Sequence, residues 1–110
     1  MHELSITQNI IDIGRNYAEG KRVLAVTVEI GRLSGVIPES VEFCFEACSK
    51  GTPMEGARLA IISIPGQARC RTCGKEQQVG SYYEACSACG DFGLEILAGT
   101  ELRVKQLEVE

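Results

Sequence analysis

Tryptophan is absent from this chain of 110 residues, and only three phenylalanines and three tyrosines are present. That leaves little material for a platform on which bases could stack. An excess of basic residues is also missing: 11 Lys and Arg against 15 Asp and Glu give a net charge of −4. Nucleic-acid binders normally present a basic face, so no nucleic-acid partner is expected. No apolar run is long enough to cross a membrane, and no signal peptide opens the chain. Histidine is reduced to a single residue, His2. The motifs offer no nucleophile–base pair and no glycine loop that would cradle a phosphate. The expectation is therefore a protein that is not an enzyme.

Cysteine, by contrast, is plentiful, with six residues. Without a secretory signal, that number points to a reducing, cytoplasmic compartment and to metal binding rather than disulfides. Four of the six form two CxxC pairs, Cys70-Arg-Thr-Cys73 and Cys86-Ser-Ala-Cys89, each followed by a glycine, Gly74 or Gly90. Two intervening residues let the chain fold back so that both sulfurs meet one ion, and the glycine suits a turn that needs a positive φ. Four thiolates close a tetrahedral shell and leave no position open for a substrate. This is the ligand spacing of structural Zn(II). It says little about function, because zinc ribbons occur in unrelated proteins.

The rest of the chain reads as alternating helices and strands. Ile6, Ile10, Ile13 and Tyr17 follow helical spacing, and Gly20 is a natural stop. Residues 23–31 alternate as a strand that is fairly apolar on both faces. Pro38 suits the first turn of a second helix whose stripe is Val41, Cys44, Phe45 and Cys48, ending before Gly51. Arg58 to Ile64 is a second strand closed by Pro65-Gly66. Residues 67–93 are polar and poor in large apolar side chains, so a bound metal would supply their folding free energy. Leu94 and Ile96 are expected to return the chain to the main body. A last strand, Thr100 to Val109, has an apolar phase that slips between Leu102/Val104 and Leu107/Val109, which predicts a bulge. The expected fold class is α+β: two helices packed on a small three-stranded sheet, with an inserted zinc-ribbon-like module.

The N-terminus reads Met1-His2-Glu3. A lone histidine there reads first as an exposed side chain, but three physical points give it another role. An α-amine, the next amide nitrogens and the His2 imidazole form fused chelate rings, a flat nitrogen-rich shell that suits Ni(II) or Cu(II). The first N–H groups of a helix have no intrahelical partner and can be given up to a metal. Two deprotonated amides would also neutralise the cation and reduce its clash with the positive helix end. Glu3 would add a carboxylate or orient the imidazole.

Taken together, Met1-His2-Glu3 before a helix, the strand end Ile30-Gly31, the Phe43 to Phe45 region and the two CxxC pairs resemble the HypA/HybF hydrogenase nickel-incorporation family. A closing apolar strand that ends in acidic residues adds to the match, which spans the whole chain. The resemblance implies a cytoplasmic nickel metallochaperone that delivers Ni(II) during maturation of [NiFe]-hydrogenase. It implies two partners, a HypB-type GTPase and the hydrogenase large-subunit precursor. By that resemblance His2, Glu3 and the nitrogens near Met1 belong to a transient nickel site. Cys70, Cys73, Cys86 and Cys89 then belong to structural zinc. Some family members add a later histidine ligand, and this chain has none. The expected domains are a nickel-binding helix–sheet unit, 1–66 and 94–110, and a zinc-binding unit, 67–93.

Other readings give way to these. Cys44 and Cys48 stand one helical turn apart and would clip a soft metal, but they share a stripe with Val41 and Phe45, so core packing is the simpler expectation. Arg69 and Arg71 flank the first CxxC pair, a weak case for an anion site in an acidic chain. A zinc-ribbon adaptor would leave the N-terminus unexplained. A thiol–disulfide enzyme would call for one CxxC at a helix start, not two matched pairs. Free sheet edges allow a monomer or a weak homodimer.

Overall fold

The structure, a computed structural model, describes residues 2–110 apart from the His2 side chain. Its elements are α1 (His2–Ala18), β1 (Val23–Gly31), α2 (Pro38–Ser49), β2 (Arg58–Ile64), β3 (Gly66–Cys70), β4 (Glu76–Val79), β5 (Leu94–Ala98) and β6 (Leu102–Val109). They form two three-stranded sheets, ordered β2-β1-β6 and β4-β3-β5. β1 is the centre of the first, parallel to β2 and antiparallel to β6. The elongated molecule measures 53 × 25 × 16 Å.

α1 starts at His2, as its pattern requires, and ends where Glu19 and Gly20 take positive φ values of 52° and 84°. Its buried stripe differs from the expected one. Thr7, Ile10, Ile11, Gly14 and Ala18 face the core, while Ile13 and Tyr17 are 40% and 77% exposed. The reason is Gly14, where a side chain would run into the Met54 sulfur, so the helix turns its smallest residue toward that contact. Ile13 and Tyr17 are left at the margin, beside β6. α2 begins at Pro38, which supplies no amide where none is needed. It buries Val41, Phe45 and Ser49, and Cys44 and Cys48 are half-buried at the edge of that stripe.

Val26, Val28 and Ile30 of β1 meet Ile10, Ile11, Val41, Phe45 and Met54 in the main core. Each fully buried aliphatic side chain there is worth about 1.5–3 kcal/mol. The slip in β6 is a bulge: Thr27 pairs Gln106 and Val28 pairs Val104, which leaves Lys105 over. The bulge keeps both Val104 and Leu107 packed on the core.

Leu94 and Ile96 do not return the chain to the main body. They lie in β5, which pairs with β3 in the second sheet, and they pack on a small cluster of Leu33, Ala68 and Val79. The sequence pattern hid this because a five-residue strand reads the same in either sheet. Leu33 follows β1, so one side chain from the helical body caps the second sheet.

Close backbone approach fixes the joint between the sheets. The Leu33 amide donates to the Gly99 carbonyl at 2.7 Å, and the Gly31 amide donates to the Glu101 carbonyl at 2.7 Å. A Cβ on Gly31 would lie 2.0 Å from the Gly99 carbonyl oxygen, so only glycine fits. Gly31→Ala is expected to destabilise the protein by more than the ~1 kcal/mol typical of point changes, because backbone rather than a flexible side chain must give way. Urea unfolding with an unchanged midpoint would count against such a joint.

Candidate metal centre

β3 ends at Cys70, which places the first cysteine at the exit of a paired strand. Two similar knuckles follow. The Cys70 amide donates to the Lys75 carbonyl at 2.9 Å and the Gly74 amide returns to the Cys70 carbonyl at 2.9 Å. In the second knuckle, the Cys86 amide donates to Asp91 at 2.7 Å and the Gly90 amide to Cys86 at 2.9 Å. Gly74 and Gly90 both sit at φ 79°, the left-handed turn expected of the residue after each CxxC.

The knuckles bring all four sulfurs within 4.8 Å of one another. Cys70 Sγ lies 3.6 Å from Cys89 Sγ, and Cys73 Sγ lies 3.5 Å from Cys86 Sγ. A tetrahedral thiolate shell with Zn–S near 2.3 Å has sulfur–sulfur edges of about 3.8 Å, so the cluster fits a Zn(II)-sized ion with little adjustment. Cys70 and Cys86 are buried, and Cys73 and Cys89 are exposed.

Backbone amides favour the thiolate form at both buried cysteines. The Cys73 amide points at Cys70 Sγ from 3.5 Å and lowers that thiol below its ordinary value. The amides of Cys89 and Ala88 hold Cys86 down to about 6. The exposed pair moves the other way. The Asp91 amide pulls Cys89 down, but the hydrogen bond with Cys70, burial and the neighbouring thiols push it up to about 12. Cys73 is raised in the same manner: Cys86, burial and Cys70 outweigh the Lys75 amide. Four thiols so close cannot all ionise alone, and a divalent cation removes that conflict.

Further residues tie the knuckles together, and the sequence reading missed them. Gln77 on β4 spans to the second knuckle: its amide nitrogen donates to the Ala85 carbonyl at 3.2 Å, and its Oε1 accepts the Ser87 amide at 2.8 Å. The Thr72 hydroxyl donates to the Asp91 carboxylate across the gap. The Tyr82 hydroxyl donates to the Leu33 carbonyl at 3.1 Å, joining this module to the loop after β1. Nothing in composition marks a glutamine or a tyrosine for such a task. Only the β3–β4 hairpin brings them within reach.

At the other candidate site, His2 is the first residue of α1, and its side chain and Met1 lie outside the described residues. Glu3 is buried, and its Oε2 accepts the Ile37 amide at 3.2 Å, which holds the first turn of α1 against the start of α2. Beside it lies an open groove lined by Leu4, Glu39, Ser40, Phe43 and Cys44. Cys44 and Cys48 take no part in the four-sulfur cluster, and Cys48 packs on the core. Arg69 pairs with Glu76 at 3.0 Å across β3–β4, an exposed ion pair of small energetic weight. The Arg71 amide donates to Gly93.

Comparison with known proteins gives one answer. The family described as "Hydrogenase/urease nickel incorporation, metallochaperone, hypA" matches residues 1–109. The hydrogenase maturation factor HypA of Geobacter metallireducens is 56% identical over 110 residues, covering all of both chains. That of Geobacter sulfurreducens is 58% identical over the same length. The solution structure of the Ni metallochaperone HypA from Helicobacter pylori superposes with a TM-score of 0.70 at 24% identity, over 99% of this chain and 97% of that one. It supports the fold.

In the metal-free, reduced protein, the Cβ chemical shift of Cys86 is expected to titrate with a midpoint near 6, with Cys89 still protonated until about 12. A lowered thiol stabilises the fold above its ordinary range, so the Cys86 contribution is lost as pH falls through about 6. Four thiols titrating together near 8.5, the ordinary cysteine value, would show that the cluster is not preformed.

Proposed function

The chain belongs to the HypA family of nickel-incorporation metallochaperones of hydrogenase maturation, and from that premise we propose that it carries Ni(II) at its N-terminus and releases it to a [NiFe]-hydrogenase precursor. Proteins of this kind are maturation factors, not enzymes. The nickel shell is built from the His2 imidazole and the nitrogens at and after Met1, with Glu3 as a further carboxylate or as the group that fixes the first turn. The observation that carries this reading is the conjunction of a family match reaching residue 1 with a helix that starts at His2. That start leaves the early amides without intrahelical partners. The Glu3–Ile37 hydrogen bond supports it by holding that turn in place.

The second part of the proposal is one structural Zn(II) on Cys70, Cys73, Cys86 and Cys89. The two sites differ in kind. Amine, imidazole and amide ligands at a chain end compete with protons and let go readily, whereas four thiolates in paired knuckles hold their ion. Delivery needs that difference. The docking partners would be a HypB-type GTPase and the large-subunit precursor, and the compartment the cytoplasm. No described helix is long and apolar enough to cross a membrane.

Nickel titration of untagged protein tests the first site. Wild type is expected to take one Ni(II), and His2→Ala none, with zinc content and fold retained. Affinity should weaken as the solution is acidified through the ordinary imidazole range, ~6.5. Equal stoichiometry and affinity in the two proteins would move nickel to another site. For the second site, Cys86→Ser should lose zinc and hydrogen-exchange protection in β3–β5 while the β2-β1-β6 sheet keeps its own. Retained zinc would refute the assignment.

A further inference from the structure

α1 and α2 pack into the same core on one face of the main sheet, and among the described residues no further element covers their outer surface. Between the start of α1 and the first half of α2 lies the groove lined by Leu4, Ser40, Phe43 and Cys44, with Glu3 and Glu39 beside them. Phe43 is 84% exposed and Leu4 is 58% exposed. Neither belongs to either core cluster, so the fold draws little from them. Two large apolar side chains that meet in one open groove mark a surface for a partner.

The charge around the groove says what kind of partner. α2 reads PESVEFCFEACS, with three glutamates and no basic residue. Glu39, Glu42 and Glu46 are exposed, and among the described residues none of them forms an ion pair. Glu39, Phe43 and Glu46 follow helical spacing, so the ring stands between two carboxylates on the outer face. The next base along the chain, Lys50, comes only after the helix has ended.

Helix stability alone does not account for these acids. Glu39 lies in the first turn, where a carboxylate complements the positive end of the helix. Glu46 lies in the last turn, where a negative charge is unfavourable and a base is preferred. Glu42 and Glu46 are also like charges one turn apart. A cation brought by a partner relieves both conflicts. Glu3 stands apart from this set, because its carboxylate holds the Ile37 amide.

We propose that this groove seats a basic amphipathic helix of the protein that receives the metal. Its apolar stripe rests on Leu4 and Phe43, and its Lys or Arg side chains meet Glu39, Glu42 and Glu46. A helix fits better than a strand, because the groove is bounded by two helices and offers no free sheet edge. A guanidinium or ammonium over the exposed face of Phe43 adds a cation–π contact. The purpose of the docking rests on the reading of an N-terminal nickel carrier: Leu4 is two residues from His2, so the occupant lies within a helical turn of those ligands. The docking itself needs no nickel.

The test uses the full, zinc-loaded chain with a native N-terminus and no nickel. The probe is a fluorescent synthetic amphipathic helix of Leu, Lys and Ala, compared by anisotropy with a twin in which Glu replaces Lys. The Lys helix is expected to bind, more weakly as salt rises, and the Glu twin not to bind. Phe43→Ser should weaken binding about tenfold or more, as should Glu42→Lys combined with Glu46→Lys, with circular dichroism unchanged because these sites are exposed. Tyr83→Ser, an aromatic site 86% exposed on the cysteine module, should have no effect. Amide shifts on binding should centre on Leu4, Ser40, Phe43 and Cys44. His2→Ala should bind the probe as wild type does, so a failed nickel site and a failed groove are read separately. No binding, equal binding of the two helices, indifference to Phe43→Ser, or shifts confined to another surface would overturn the proposal. A homodimer broken by Phe43→Ser in sedimentation would give the groove to a second copy and overturn it as well.

Discussion

β1 is paired on both sides and buried along most of its length, and the arrangement of the other elements follows from it. Its helix-facing side chains, Val26, Val28 and Ile30, are the surface on which both helices rest. A strand in that position must be apolar on its covered face, and β-branched residues fill it well. Its parallel partner β2 can be reached only by a crossover, which α2 provides. Its antiparallel partner β6 comes from the far end of the chain, so the main sheet is not closed until the whole cysteine module has been inserted.

That insertion is tolerated because the module leaves and re-enters at one point. A Cβ on Gly31 would strike Gly99, one on Gly99 would strike Gly66, and one on Gly66 would strike the Val79 carbonyl. Leu33 then reaches across to complete a second cluster too small to stand alone, with Ala68 and Val79 as its other buried members. A sheet with so few buried side chains needs another source of stability, and four sulfurs gathered from two knuckles meet that need when they share an ion. The amides aimed at Cys70 and Cys86 and the bridge made by Gln77 show how much of that geometry exists in the polypeptide itself.

The two candidate metal sites share a short piece of chain. Ile37, whose amide Glu3 accepts, is four residues beyond Leu33, whose carbonyl accepts the Tyr82 hydroxyl. The start of α1 therefore lies at the end of the body that faces the joint. Family membership, with relatives 56% and 58% identical over the full length, gives this arrangement its functional meaning.

Local chemistry was legible in the sequence because it needs only neighbours. CxxC followed by glycine specifies a knuckle wherever it lies, Pro38 specifies a helix start, and a slipped apolar phase specifies the bulge at Lys105. The extent of β2 and the start of α1 at His2 were set in the same way, by patterns of period 2 and 3.6. The family, too, was legible in a few residues at the two candidate metal-binding segments. Tertiary structure decided what depends on distant partners. It turned α1 so that Gly14 rather than Ile13 faces Met54, and it assigned β5 to the second sheet rather than the first. It also recruited Gln77, Tyr82 and Leu33, whose side chains carry no signal until the chain has folded around them. The physical reason is common to all three: a pattern along the chain fixes which face of an element is apolar, but only the competing shapes of the other elements fix what that face will touch.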